Sequence, residues 1–387
     1  MEAFKIKKEL ELYIHIPFCV KKCAYCDFLS SVQNEKIREN YVNALVREIN
    51  AYGQLQEQYI VSTIFIGGGT PTILSEQQMQ KIFKALHAVF EINQDAEITI
   101  EANPGTVTKE KLNTYRMFGI NRISFGLQSV NNDELRLLGR IHTYEEFLES
   151  YHLAREVGFT NINVDLISAI PKQTLSSWEE TLKNVIALNP EHISAYSLII
   201  EEGTPFANVY GDGAPKEDEL PSEEEERNIY YRTKELLKEF GYQQYEISNY
   251  AKDGNICKHN SGYWKRKEYL GIGLGSASLL NHTRFHNTND LSFYLEHAGE
   301  TELLRQEIQI LSIEEQMEEF MFLGLRMTEG IPKKEFEACF GKTIDICYEK
   351  QLQKLQKQEM IEISADRIAL TDYGLDVSNY VLSEFIL

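Results

Sequence analysis

Three cysteines, Cys19, Cys23 and Cys26, fall within eight consecutive positions in the segment CVKKCAYC. The spacing is C-x3-C-x2-C, with Tyr25 just before the third thiol. A loop with this spacing can wrap three thiolates around one small inorganic object; a rigid helix would converge them less well. Thiolates are the usual ligands of iron–sulfur clusters. Three of them on a [4Fe–4S] cluster leave one iron open to another ligand. Structural zinc prefers four protein ligands, and no fourth cysteine or close downstream histidine completes such a set. Zinc and free thiols are the alternatives.

Other residues with chemical potential lie further along. Gly67-Gly68-Gly69-Thr70 can bring backbone close to a ligand, although alone it reads equally well as a tight turn. Glu101, Gln128 and Asp165 close strand-like runs, and Arg140 follows the fourth run. A carboxylate there can bind ribose hydroxyls, and an arginine can grip a carboxylate through two nitrogens. His259, in His-Asn-Ser-Gly-Tyr-Trp, is a residue type that ligates heme iron, and Tyr263 and Trp264 offer aromatic surface. A packed, hydrogen-bonded histidine is the plainer reading. Cys339 and Cys347 read as core thiols of a C-terminal module.

These residues need a scaffold. β-Branched runs at Leu10–Ile16, Val61–Ile66, Glu97–Glu101, Arg122–Phe125, Asn161–Ile167 and His192–Leu198 read as strands. Helical patterns at Ser75–Phe90 and Ser176–Leu188 lie between them, with Ser75 and Ser176 as expected N-caps. The fold class is therefore α/β, with repeated βα units around a parallel sheet. The spacing suits a barrel or a doubly wound sheet and does not separate them. The acidic run 216–226 reads as a solvated loop leading into a helix over Glu223–Phe240. A helix over Ile313–Arg326 begins a C-terminal module whose MIEISADRIALTDYGLDV segment resembles a wing hairpin. The expected organisation is residues 1–300, with a core at about 10–205, followed by 301–387.

Composition narrows the function. Of 387 residues, 43% are hydrophobic and 25% charged, the profile of a globular chain. The net charge is −20, and residues 301–387 carry nine basic against 17 acidic side chains, so nucleic acid is not an expected partner. Glu9 and Glu11 interrupt any leader-like apolar run at the N-terminus, no window suits a transmembrane helix, and the SEFIL ending has no prenylation box. A cytoplasmic location is expected, where clustered thiols stay reduced.

C-x3-C-x-aromatic-C after a first strand resembles the signature of radical S-adenosylmethionine (SAM) enzymes. The resemblance implies a partial (β/α)6 barrel with a small C-terminal winged-helix-like α+β module. It also implies that Cys19, Cys23 and Cys26 hold a [4Fe–4S] cluster whose open iron is chelated by SAM. YIHIPFC, GGGTPT, EANPGT, ISFGLQS, LGRIH and SAYSLIIEEGTPF are similar to the oxygen-independent coproporphyrinogen III oxidase group. That similarity carries SAM contacts onto Tyr13, Tyr25, Gly68, Gly69, Thr70, Glu101, Gln128, Arg140 and Asp165, with Ile199 and Ala277 beside them. Two departures matter. The oxidases have a further cysteine where this sequence has Phe28, and a longer segment ahead of the cluster than the 18 residues here. His259-Asn260-Ser261-Gly262-Tyr263-Trp264 instead matches the HNxxYW motif of HemW-type heme chaperones. That family implies binding of cluster, SAM and heme, with His259 as heme ligand and Cys257 as a lesser candidate. It further implies heme delivery to membrane-bound respiratory hemoproteins, admits a homodimer, and implies no coproporphyrinogen dehydrogenase activity. Anaerobic decarboxylation of coproporphyrinogen III is the alternative, and radical modification of tRNA is disfavoured by the charge.

Overall fold

Alternation along the first strand shows how the sheet is built. In β1 (Lys8–Ile16), Leu10, Leu12, Ile14 and Ile16 are fully buried in the main apolar core, while Glu11, Tyr13 and His15 occupy the opposite face. The same division runs through β2 (Tyr59–Gly68), β3 (Ile92–Ala102), β4 (Arg122–Gln128), β5 (Ile162–Ser168) and β6 (His192–Ser197). One face is made of branched apolar residues that pack against helices. The other carries Thr63, Glu97, Ser124, Asn163, Asp165 and Ser194. Barrels of parallel strands usually fill their interior with branched apolar side chains; this one is polar inside.

The computed structural model describes residues 7–386. The first six residues of the stretch read above for a leader, and Leu387 of the SEFIL ending, lie outside the described residues. Six strands run parallel in the order β1 to β6, joined through α1 (Glu35–Ala51), α2 (Glu76–Val89), α3 (Lys109–Met117), α4 (Asn132–Leu137), α5 (Tyr144–Glu156) and α6 (Leu175–Ala187). Ser75 caps α2 in a capping box with Gln78, as the sequence suggests. The cap of α6 is Thr174 rather than Ser176. Its hydroxyl accepts from Ser177 N–H three residues on, which places Ser176 inside the first turn. Beyond β6, α7 (Ala207–Tyr210) is followed by α8 (Glu223–Glu239), whose four-glutamate first turn suits the positive end of the helix dipole.

The sheet grows at both ends. β7 (Gln243–Gln244) and β8 (Asn249–Ala251) extend it beyond β6, and α9 (Lys258–Trp264) follows them. β9 (Tyr269–Ile272) joins β1 in parallel, then β10 (Ala277–Leu280), β11 (Thr283–Asn287) and β12 (Arg305–Ile310) follow antiparallel. The twelve strands form an open, partial barrel with β12 and β7 at its edges. β12 lies past residue 300 yet belongs to this sheet.

The C-terminal residues have their own core around Met321, Phe336, Tyr348, Leu355 and Ile368. A helix over Ile313–Gly324 opens this region, and β13 (Ile331–Pro332), β14 (Ile361–Ile363) and β15 (Arg367–Leu370) form an antiparallel sheet in the order β13-β15-β14. The expected wing is the β14–β15 hairpin. Cys339 is not a core thiol: its helix, Lys333–Phe340, turns Phe336 and Phe340 inward and leaves Cys339 exposed, while Cys347 is half-buried at the edge of that core. Arg227 pairs with Asp376 at 2.9 Å, and Arg266 with Glu319 at 2.8 Å, tying this region to the barrel. No described helix is long and apolar enough to cross a membrane.

Candidate functional site

The loop after β1 is closed at its base. Phe18 and Ser31 form a bridge, Cys19 N–H donates to Ser31 O at 3.1 Å, and Ser31 N–H to Pro17 O at 2.9 Å. Cys19, Cys23 and Cys26 are free, half-buried thiols that face one cavity of about 930 Å³ at the carboxyl ends of the strands. Burial pushes the Cys26 thiol above its ordinary range. The glycine turn packs directly under this loop: Gly69 N–H donates to Ile16 O and Thr70 N–H to Phe18 O, at 2.9 and 2.7 Å. A Cβ on Gly69 would lie 2.6 Å from Phe18 O, so only glycine permits the approach.

Two thiols receive hydrogen bonds. Thr70 Oγ1 donates to Cys19 Sγ at 3.6 Å, and Arg140 Nη1 to Cys23 Sγ at 3.5 Å. Asn103 links the two donors: its Nδ2 donates to Thr70 Oγ1 at 2.7 Å, and its Oδ1 accepts from Arg140 Nη2 at 2.6 Å. Arg140 Nη2 also reaches Gly126 O at 2.6 Å. Three soft sulfur donors on a common wall, two of them hydrogen-bonded, fit an iron–sulfur cluster, whose properties respond to such bonds.

Glu101 and Asp165 lie below this rim. Burial, with Asp165 beside it and the Gly68 N–H opposing, raises the Glu101 carboxyl to about 8. Burial likewise raises Asp165, against hydrogen bonds from Ser124 and Asn163, each at 2.8 Å. Gln128 is held at φ 72°, where the β4–β5 register shifts by a residue. A left-handed backbone at a side-chain-bearing residue is strained, and such strain gathers at ligand sites.

A second cavity, about 220 Å³, lies deeper in the barrel and shares Glu101, Ser124, Asp165, Tyr196 and Asn260 with the first. Helix α9 plugs the barrel beneath it. Glu97 of β3 accepts from Lys258 N–H and His259 N–H at 3.0 and 3.1 Å, fastening the start of that helix. His259 points inward, 1% exposed, its ring stacked on Phe65 with centroids 5.2 Å apart. Its Nδ1 lies 2.7 Å from Thr63 Oγ1 and its Nε2 2.8 Å from Tyr263 OH, so both nitrogens are engaged. Burial, assisted by Arg122, lowers its pKa to about 3 and keeps the ring neutral. Cys257 is fully buried beside Glu97, and burial raises its thiol to about 12.

The structure gathers most of the residues singled out in the sequence. Tyr25, Gly68, Gly69, Thr70, Glu101, Gln128, Arg140, Asp165 and Ile199 line the large cavity together with the thiols. Tyr13 and His259 line the deeper one instead, and Ala277, exposed on β10, lines neither. Two residues escaped the sequence reading. Asn103 sits two positions beyond Glu101, so extending the inward register of β3 by one step would have found it. Arg122, the first residue of β4, is 2% exposed and reads in sequence as a strand-capping charge.

Comparison with known proteins agrees with this geometry. The radical SAM superfamily pattern matches residues 13–185, and the HemN C-terminal domain matches residues 311–377. A protein of Bacillus subtilis named heme chaperone HemW is 37% identical, over 97% of this chain and 98% of its own length. The chain belongs to the HemW family of radical SAM proteins. A second member of the family, from Haemophilus influenzae, is 38% identical over 97% of this chain and 98% of its own length. Among solved structures, coproporphyrinogen III oxidase (HemN) of Escherichia coli, a radical SAM enzyme, superposes with a TM-score of 0.86 at 26% identity, covering 98% of this chain and 90% of that one. Membership of the radical SAM superfamily implies a [4Fe–4S] cluster and SAM.

Proposed function

We propose that this protein is a heme chaperone that binds a [4Fe–4S] cluster and SAM at one cavity and passes heme to a recipient hemoprotein. One observation carries the reading: a single cavity collects the three thiols, the glycine turn, Arg140, Glu101, Gln128 and Asp165. Similarity over nearly the whole chain to proteins named heme chaperone supports the heme step.

Cys19, Cys23 and Cys26 would hold the cluster, and cluster and SAM together supply one-electron chemistry when bound. Thr70 and Arg140 then stabilise the thiolates of Cys19 and Cys23 by donating to them. Gly68 and Gly69 would let backbone come close to SAM. Glu101, neutral near pH 7, can donate as well as accept, and Arg140 keeps only its Nε free to donate to a carboxylate. Tyr25 and Ile199 offer surface on the same cavity. Tyr13 lies deeper and would act only through the second cavity, while Ala277 falls outside the proposed contacts. His259 enters the proposal as part of the α9 plug, because ligation of heme would require it to give up Thr63 or Tyr263. A cytoplasmic setting, a recipient at the membrane and a homodimer belong to the same proposal. So does a two-unit organisation, divided at 310/311 rather than 300/301 because β12 pairs with β11.

The likeness to the oxidase structure makes oxidative decarboxylation of coproporphyrinogen III the second reading, and Phe28 in place of the oxidases' further cysteine weighs against it. The deciding experiment is anaerobic reconstitution of the cluster, followed by SAM and reductant with either coproporphyrinogen III or heme. Tight heme binding without decarboxylated product supports the chaperone; product formation overturns it. A His259→Ala protein should retain the parent's heme spectrum, and a changed spectrum with a preserved fold would restore His259 as a ligand.

A further inference from the structure

Arg122 is 2% exposed and lines the deeper cavity, yet its Nε has no hydrogen-bond partner. Among the described residues its guanidinium forms no hydrogen bond and no ion pair within contact distance, although Glu97 and Asp165 support its charge from farther off. The carboxylates around it act on it only as charges beyond contact distance and take their hydrogen bonds from other groups. Asp165 accepts from Ser124 and Asn163, Glu97 fastens the start of α9, and Glu101 accepts from Gly68 N–H at 3.0 Å. Charges are rarely buried without a partner, because desolvation must be offset by pairing. A guanidinium is a planar fork of donors, and its best complement is a planar oxyanion gripped by two parallel hydrogen bonds.

We infer that the deeper cavity is a binding site for a carboxylate, held by the guanidinium of Arg122. Hydroxyl and amide groups of Ser124, Ser194 and Asn163 line the same space and can accept or donate around the bound group. His259, kept neutral, does not compete as a cation. The volume of about 220 Å³ limits the occupant to a small acid or to the carboxylate arm of a larger molecule. The arm would come from the large cavity, with which this one shares Glu101, Ser124 and Asp165. The site does not depend on the proposed function; only the second source does.

Acetate serves as the probe of the first source, followed by saturation-transfer NMR on the full-length protein. Saturable binding is expected, competed by formate but not by chloride at equal ionic strength, and that result needs no variant. Arg122→Gln should weaken it about tenfold or more, and Arg122→Lys, which keeps the charge without the fork, should fall between. Heme and its dimethyl ester probe the second source. If the arm is the occupant, the parent prefers heme to the ester about tenfold or more, and Arg122→Gln erases the preference. A parent that shows neither acetate saturation nor a heme-over-ester preference overturns the inference. A parent that binds no heme at all refutes the chaperone reading and leaves the acetate result to decide this one.

Discussion

Gly68 lies where the cysteine loop and the sheet press together, and Gly68→Ala tests how closely they are fitted. The residue has φ +110°, and an added Cβ would lie 2.4 Å from Cε1 and 2.5 Å from Nδ1 of His15. The imidazole cannot simply swing aside: Tyr13 OH at 3.0 Å and Leu29 O at 2.9 Å fix its two nitrogens. Forcing a positive φ on an alanine costs about 1–2 kcal/mol, and overpacking a filled site costs about 1–3 kcal/mol. The variant should therefore lose about 2–5 kcal/mol. Gly53→Ala is the control, since nothing lies within 4 Å of the added carbon. It should be neutral or stabilise by about 0.4–1 kcal/mol, through the lower entropy of the unfolded chain. Urea unfolding of the cluster-free protein gives both numbers, and cluster absorption after reconstitution should be poorer in Gly68→Ala, because Leu29 lies just past Cys26. A Gly68→Ala protein within about 0.5 kcal/mol of the parent would refute the argument.

Replacing any one of Cys19, Cys23 or Cys26 by alanine should abolish cluster absorption after reconstitution; an unchanged spectrum would overturn the ligand assignment. Asn103→Ala removes the link between Thr70 and Arg140, at about 1.5–3 kcal/mol for the hydrogen bond to the charged group, and should shorten the lifetime of the reconstituted cluster; equal lifetimes would show the link to be idle. Glu11 is 1% exposed, its carboxyl oxygens without a hydrogen bond and its pKa raised from 4.5 to about 8, chiefly by burial, with Lys267 opposing and Glu97 and Glu9 adding. A raised carboxyl pKa contributes stability that is complete below the unfolded value and is lost as pH climbs through the folded one. Urea midpoints should thus fall more steeply between about pH 5 and 8 in the parent than in Glu11→Gln, and matching slopes would exclude Glu11 as the source.

Much of the barrel was legible because its signal is local. Alternation in KELELYIHI and the branched runs around Ile64, Ile98, Ile123, Val164 and Ile193 place six strands, although β3 begins at Ile92, five residues before the expected start. The thiols were legible for the same reason, being contiguous. The strands β9 to β12 were not: β12 is largely exposed, with only the short alternation of Ile308 and Ile310 to mark it, and β10 and β11 gain their meaning from pairing across the sheet. Cys339 was misread because a helix face is decided by its neighbours, Phe336 and Phe340, rather than by the residue. The HNSGYW motif was visible as a motif, but its direction was not. The contacts that turn His259 inward come from Thr63 and Glu97, nearly 200 and just over 160 residues earlier in the chain.

The bonds that seat the cysteine loop also fix the order in which this protein can be assembled. Cys19 is tied to a residue 51 positions away and Cys23 to one 117 positions away. Small zinc modules wait for their metal before they fold, and the metal supplies the folding free energy. Here the long closures are made by strands and helices that bury Ile14, Ile66 and Ile100. On the proposed function, a cluster would be a group loaded onto that scaffold rather than the nucleus around which the chain folds.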